Sequence, residues 1–208
     1  MWEIVTAGGW LMLPIVVSSI VSLAIIAERF YTLRDNRVLP DNLVADVWRM
    51  ASTRQLNDEK VREIQQGSPL GRVIAAGLLS QNYDRDNMKA SIEEVGGHVA
   101  HELERYLNAL GTIAAITPLL GLLGTVVGMI SVFTQITTVG VGNPAQLAGG
   151  ISQALITTAG GLMVAIPSLM FYRYFRGRVD GLVVDMEKES LKLIDVLEKR
   201  QSQSRVNT

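Results

Sequence analysis

The amino-acid sequence predicts an all-α membrane protein with three transmembrane helices. Charge distribution and the length of the apolar runs lead to this prediction. No residue between Arg105 and Arg173 carries a full charge, and none does between Glu3 and Glu28. A soluble helical protein of this size needs charged outer faces along its helices, so such bare stretches indicate a lipid environment.

The first predicted span extends from Trp10 to Ala27 and belongs to an N-terminal region, residues 1–27. A membrane helix needs about 20 apolar residues, and the residues before Trp10 can complete that length. Pro14 is tolerated because serines or neighbouring helices can satisfy the backbone groups that it frees. The segment lacks a basic start and a small-residue cleavage site, so we expect it to be retained.

The uncharged region 106–172 is too long for one helix and contains a break rich in turn-forming residues, 137–146. The break predicts a second span over Leu107–Ile136 and a third over Leu147–Tyr172. Two helices joined by so short a turn must run antiparallel.

Basic residues predict the orientation of these spans. Every Lys and Arg lies either in residues 28–105 or in residues 173–208. The positive-inside rule therefore places both regions in the cytoplasm and the N-terminus and the turn on the opposite, periplasmic side. Three spans give the same alternation, so two independent arguments agree.

Both cytoplasmic regions are predicted to be helical. In the insert, 28–105, apolar spacing predicts helices after Pro40-Asp41 and from Ser68-Pro69. A polar turn is predicted at Asn82–Asn87, followed by a helix over Met88–Arg105 that continues straight into the second span.

The region 173–208 is predicted to form an amphipathic helix with one apolar stripe. The stripe consists of Val179, Leu182, Val183, Met186, Leu193 and Leu197. A single helix cannot cover such a stripe by itself, so we expect it to pack in an oligomer.

Several signals for other functions are weak. Gly140-x-Gly142-x-x-Ala145 matches a dinucleotide fingerprint but has no preceding strand, so we reject it. His98 and His101 lie one turn apart with glutamates nearby, yet a solvated helix face explains them better than a metal site. There is no cysteine and no nucleophile–base pair. We expect no enzyme activity, no metal, no cofactor and no nucleic-acid partner.

Small residues and prolines mark the second and third spans. Glycines at small-xxx-small spacing let helix backbones approach closely in lipid, and proline bends a helix. We assign packing and bending roles to Pro118, Gly121, Gly124, Gly128, Gly161 and Pro167.

Polar side chains within these spans leave two interpretations open. Thr125 and Thr158 could bond their own i−4 carbonyls, as threonine commonly does in membrane helices, or they could line a pore. The amide of Gln153 needs a partner or water if it lies in hydrocarbon.

The motif Gly121-Leu-Leu-Gly-Thr-Val-Val-Gly128, preceded by Pro118, resembles the second span of the MotA/TolQ/ExbB proton-channel family. Gly150-Ile-Ser-Gln-Ala-Leu-Ile-Thr-Thr158 resembles its third span, and Glu28-Arg29 and Ser68-Pro69-Leu70 also look like the family. The resemblance covers nearly the whole chain. Three spans and a modest insert favour the ExbB/TolQ branch over the four-span stator branch.

The resemblance implies a pentamer in a bacterial inner membrane, surrounding single-span helices of an ExbD- or TolR-like partner. That partner would carry an intramembrane aspartate, and the complex would use proton-motive force to act on a TonB- or TolA-like protein. The transported ion would be H⁺. The implied proton pathway in this chain comprises Thr125, Thr158, Gln153 and Thr157.

One departure and three rival hypotheses remain. The family commonly has a glutamate at the position of Gln153, and glutamine cannot titrate. The chain could instead be a passive membrane scaffold, a sodium-driven stator-like subunit or an intramembrane enzyme. The absence of a nucleophile–base pair argues against the enzyme.

Overall fold

The computed structural model describes residues 8–53, 56–80, 85–140 and 144–206, and within them every regular element is an α-helix. The helices are α1 (Met12–Thr32), α2 (Asp35–Val38), α3 (Leu43–Ser52), α4 (Asp58–Gly67), α5 (Pro69–Leu79), α6 (Arg85–Leu103), α7 (Leu107–Val139) and α8 (Pro144–Val206). Three segments are long and apolar enough to cross a membrane, and they contain α1, α7 and α8. The predicted all-α fold with three candidate spans is therefore confirmed.

The chain divides into two units. The span unit consists of residues 1–28 and 106–174, and the insert unit consists of residues 29–105 and 175–208. Helices α1 and α8 each contribute to both units. The third predicted span and the predicted C-terminal helix are thus one continuous helix in the structure.

The continuous helix predicted from residue 88 into the second span is wrong. Helix α6 ends at Leu103, and Tyr106 adopts a left-handed backbone with φ of 64° before α7 begins. An L-residue in that conformation cannot continue a right-handed helix, so α6 and α7 are separate elements.

The turn between the second and third spans is shorter than predicted. Helix α7 continues to Val139, Gly140 ends it with φ of 78°, and α8 begins at Pro144. Glycine takes this backbone conformation without steric cost, which explains the position of the helix end. The remaining predicted turn formers, 141–143, lie outside the described residues.

Capping side chains determine where the insert helices begin. The Oδ1 atom of Asn57 accepts a hydrogen bond from the amide of Lys60 at 2.9 Å, and Ser68 Oγ accepts one from Gly71 at 3.0 Å. Pro69 occupies the first turn of α5, where its missing N–H costs nothing. The helix predicted from Ser68-Pro69 is confirmed, whereas α2 and α4 were not predicted individually. The predicted turn at 82–87 is wrong for residues 85–87, which already belong to α6, and its earlier part lies outside the described residues.

The apolar stripe on the C-terminal part of α8 is buried within the chain itself. Val179, Leu182 and Leu193 are each 1% exposed, and Met186 is also buried. A Cβ atom at Gly77 of α5 would lie 3.8 Å from Cδ2 of Leu193, so α5 packs against this stripe. For these four residues the inference that the stripe needs another subunit is wrong, because the insert unit supplies the missing apolar surface. Val183 is only partly buried, and the side chain of Leu197 lies outside the described residues.

A two-pronged ion pair links α5 to α6 in the insert unit. Arg72 donates hydrogen bonds from Nη1 and Nη2 to the two carboxylate oxygens of Glu102, at 2.9 and 2.5 Å. These bonds to the guanidinium hold the pKa of the Glu102 carboxyl below its ordinary value of 4.5, with smaller contributions from Arg105 and His98. The side chains of Arg72 and Glu102 are 34% and 57% exposed, so solvent screens the attraction between them.

The ion pair predicts a pH-dependent contribution to stability. A lowered folded-state pKa stabilises the fold fully above the ordinary glutamate pKa and loses that effect as pH falls through the lowered value. Glu102→Gln should therefore cost about 0.5–1 kcal/mol in unfolding free energy at pH 7 and progressively less as the pH falls below the ordinary glutamate pKa. Denaturant titrations of the full chain in detergent across this pH range measure this. Glu94→Gln on the same helix is the control, and an equal loss in both variants would contradict the prediction.

Candidate functional site

Glycines allow α7 and α8 to approach closely in the span unit. A Cβ atom at Gly124 would lie 2.4 Å from Cγ2 of Thr157, and one at Gly128 would lie 2.8 Å from Cβ of Ala154. Real Cβ atoms do not tolerate such distances, so these positions require glycine for the observed helix separation. Because these glycines contact α8 of the same chain, they give no argument for self-association.

Two further glycines bring the backbones themselves together. A Cβ atom at Gly161 would lie 2.7 Å from the carbonyl oxygen of Thr117, and one at Gly121 would lie 3.0 Å from Cα of Thr158. Pro118 and Pro167 lie inside α7 and α8, and both helices continue past them. Bending at these prolines stays a prediction.

Thr158 joins the two helices through a hydrogen bond. Its hydroxyl donates to the carbonyl oxygen of Gly121 at 2.9 Å and lies 3.4 Å from that of Ala154. In an α-helix the amide of Thr125 donates to the same Gly121 carbonyl. The Thr158 hydroxyl and the Thr125 backbone therefore meet at one oxygen atom.

Thr125 itself bonds within its own helix. Its hydroxyl donates to the carbonyl of Leu122 at 2.6 Å, and the side chain is half-buried. A hydroxyl that donates one hydrogen bond keeps acceptor capacity, so Thr125 and Thr158 can each still accept a bond from a further group.

Gln153 and Thr157 contact the segment that precedes α1. The Thr157 hydroxyl lies 3.0 Å from the carbonyl oxygen of Gly8 and 2.8 Å from that of Gln153, and the residue is 1% exposed. A Cβ atom at Gly9 would lie 2.1 Å from Nε2 of Gln153. The four predicted pathway residues thus form two pairs, one at the α7–α8 contact and one at the N-terminal segment.

A buried serine pair connects α1 to α8 and was missed in the sequence. Ser168 donates to the carbonyl of Val164 at 2.7 Å, so the Ser22 hydroxyl must donate to Ser168 across their 2.7 Å contact. Both serines are at most 3% exposed. A serine in an otherwise apolar span was the available signal, since buried hydroxyls in lipid require partners.

The two longest uncharged stretches contain no group that titrates near neutral pH. Residues 8–27 and 106–172 include no Asp, Glu, His, Lys or Arg. Outside the spans, no cluster of three or more metal-ligating side chains occurs in the part of the chain that the structure describes. Glu102, a neighbour of His98 and His101 in sequence, instead binds Arg72.

The chain has three candidate spans with uncharged interiors, and its α7 and α8 helices pack closely around internal hydroxyls. These features define an integral membrane protein of the channel or transport class. Residues 65–188 match the MotA/TolQ/ExbB proton channel family. The chain belongs to this family and to its ExbB/TolQ branch, as the resemblance in the sequence predicts.

Three curated relatives illustrate the similarity. A putative biopolymer transport protein ExbB-like 1 from Synechocystis sp. is 34% identical over 169 residues, covering 80% of this chain and 66%, just under two thirds, of the relative. The biopolymer transport protein ExbB of Neisseria gonorrhoeae is 31% identical over 66% of this chain and 69% of its own length. The Tol-Pal system protein TolQ of Pseudomonas aeruginosa is 27% identical over 88% and 86%.

Proposed function

We propose that this chain is the channel-wall subunit of a proton-driven motor in a bacterial inner membrane. With an ExbD/TolR-like single-span partner, it would convert proton-motive force into work on a TonB/TolA-like protein. The names of its relatives, biopolymer transport protein and Tol-Pal system protein, support this role. H⁺ is the proposed transported ion, and no cofactor is required.

The absence of Asp, Glu, His, Lys and Arg from residues 8–27 and 106–172 is the observation that carries the proposal. Proton pathways through membranes use Asp, Glu or His within the spans, and residues 106–172 offer none. Hydroxyls and one amide can hold water but do not change charge near neutral pH. The charge that biases one arrangement over another must therefore come from a second polypeptide carrying an intramembrane carboxyl group.

Thr125 and Thr158 are the groups proposed to receive that carboxyl group in its protonated form. Both are half-buried, so neither is sealed inside the helix pair. Their hydroxyl hydrogens are donated to backbone carbonyls, and their oxygens can still accept a hydrogen bond from a protonated carboxyl group. A carboxyl group that moves to these threonines would find polar contacts there, beside apolar residues of α7 such as Leu122 and Val126.

The orientation and the pentameric assembly complete the proposal. The positions of all basic residues support a periplasmic N-terminus and a cytoplasmic insert and C-terminus. The pentamer rests on family membership, because the glycines and the C-terminal stripe are satisfied within one chain.

Proton flux in liposomes tests the proposal. The purified chain alone should give no pH-gradient-driven flux above empty liposomes, because it lacks a carrier group within the spans. Reconstitution with its single-span partner should give flux that disappears when the partner's intramembrane Asp is changed to Asn. Strong flux through the chain alone, or full flux in the Asn variant, would contradict the proposed role.

A passive scaffold is the second candidate, favoured by the Thr125 hydroxyl bonding its own helix as a merely structural threonine does. The same experiment separates the two, because a scaffold gives no flux with or without the partner. Replacing Na⁺ by K⁺ separates the sodium-driven alternative, in which activity would depend on Na⁺.

A further inference from the structure

A polar cavity of about 640 Å³ lies within the insert unit. Its wall includes Thr32, the last residue of α1, together with Arg37 and Arg72. Gln65 and Gln66 at the end of α4 contribute side-chain amides. The volume lies within the range of small-molecule sites, and the wall offers several hydrogen-bond donors.

The wall of this cavity is positively charged. It contains two arginines and no Asp or Glu. Arg72 is bound to Glu102, but Arg37 has its guanidinium over the ring of Tyr31 at 4.2 Å and donates to the Tyr31 hydroxyl at 3.2 Å. Among the described residues no carboxylate pairs with Arg37, so its charge remains available to a ligand.

Arg37 is held in place rather than free to move. Stacking on an aromatic face and one hydrogen bond fix a guanidinium at small entropic cost, and a planar guanidinium matches the oxygens of phosphate. The guanidinium of Arg34 lies 5.7 Å from the centroid of the same ring, so a further positive charge is close to Arg37. The wall also includes the start of α5, whose N-terminal dipole has the same sign.

The location of the cavity limits the source of the anion. Tyr31 and Thr32 form the end of candidate span α1, one turn beyond the last residue of its uncharged stretch, Ala27. Phospholipid phosphates occupy this depth, at the boundary between hydrocarbon and water. An exposed tyrosine beside arginines is also typical of that boundary.

We propose that this cavity binds the phosphate group of an anionic phospholipid, with Arg37 as the principal ligand and Arg72 and the two glutamines as further donors. The assignment goes beyond the proposed motor function, and it does not depend on which side of the membrane the cavity faces.

Gly67 provides a test that leaves the arginines untouched. A Cβ atom at Gly67 would meet nothing within 4 Å, and the residue lines the cavity. Gly67→Glu therefore adds a carboxylate to the cavity without a clash, and Gly67→Gln adds the same bulk without charge. Native mass spectrometry of the full chain in neutral detergent, titrated with phosphatidylglycerol or phosphatidylcholine, measures binding.

The parent chain and Gly67→Gln should bind phosphatidylglycerol roughly tenfold more tightly than phosphatidylcholine, a ratio typical of one charge-assisted bond. Gly67→Glu and Arg37→Gln should lose that preference while retaining the thermal midpoint of the parent. If Gly67→Glu and Gly67→Gln showed an equal preference for phosphatidylglycerol over phosphatidylcholine, the proposed site would be overturned. Displacement of phosphatidylglycerol by equimolar inorganic phosphate would overturn the lipid assignment and indicate a soluble phosphate ligand.

Discussion

Gly161→Ala should destabilise the span unit by about 2–3 kcal/mol, a large effect for a single methyl group. The added Cβ would lie 2.7 Å from the carbonyl oxygen of Thr117 and 3.2 Å from Cα of Gly121. Both are backbone atoms, so no rotamer change can relieve the contact. The helices must separate, and the hydrogen bond from Thr158 to Gly121 lengthens with them.

Gly149→Ala is the matched control on the same helix. A Cβ at Gly149 would meet nothing within 4 Å, and alanine favours helix over glycine by up to about 1 kcal/mol. Its stability should therefore equal or exceed that of the parent chain. Equilibrium unfolding in mixed detergent micelles measures both variants. Equal stabilities for the two alanine variants would show that α7 and α8 are not packed as described.

Thr125→Val and Thr158→Val should each reduce partner-dependent proton flux by about fivefold, the loss expected when a neutral hydrogen bond worth about 1 kcal/mol is removed. The two variants should differ in stability. Thr125 bonds its own helix, so its valine variant should unfold like the parent. Thr158 bonds Gly121 of α7, so its variant should lose about 0.6 kcal/mol, a common value for an interhelical bond in a membrane protein.

Thr134→Val controls for the general effect of losing a threonine from α7. The Thr134 hydroxyl also bonds its own helix, to Ile130 at 2.8 Å, and the residue is not part of the predicted pathway. This variant should retain full flux. Undiminished flux in both Thr125→Val and Thr158→Val would remove these residues from the pathway. Gln153→Leu should reduce flux less than either threonine variant, because Gln153 lies against Gly9.

Charge placement predicted most of the fold, because a lipid environment restricts where charged residues can lie. The three candidate spans and the helix starting at Pro69 follow from that restriction and from local capping. The break at Tyr106 could not be predicted, because a left-handed tyrosine has no composition signal. The partner of the α8 stripe was also missed, because periodicity shows that Leu193 lies on an apolar face but does not show that α5 packs against it.

The glycines and threonines of the candidate site were visible in the sequence, but their pairing was not. Spacing places Gly121, Gly124 and Gly128 on related helix faces, yet it does not identify which residue of α8 meets each one. The contacts of Thr157 with Gly8 and of Ser22 with Ser168 join residues 149 and 146 positions apart, beyond the reach of any local pattern.

The separation between Ser22 and Ser168 has a consequence for biogenesis. A ribosome adds about 5–20 residues per second, so the 146 residues between them take roughly 7–30 s to synthesise. Helix α1 must therefore reside in the bilayer for that time before its partner exists. During this delay the Ser22 hydroxyl can donate a hydrogen bond to the carbonyl four residues earlier in its own helix. The hydroxyl is then satisfied while α1 is the only span in the bilayer. When α8 inserts, the Ser22 hydroxyl exchanges this local bond for the interhelical one, so the final packing does not require α8 to be present when α1 inserts.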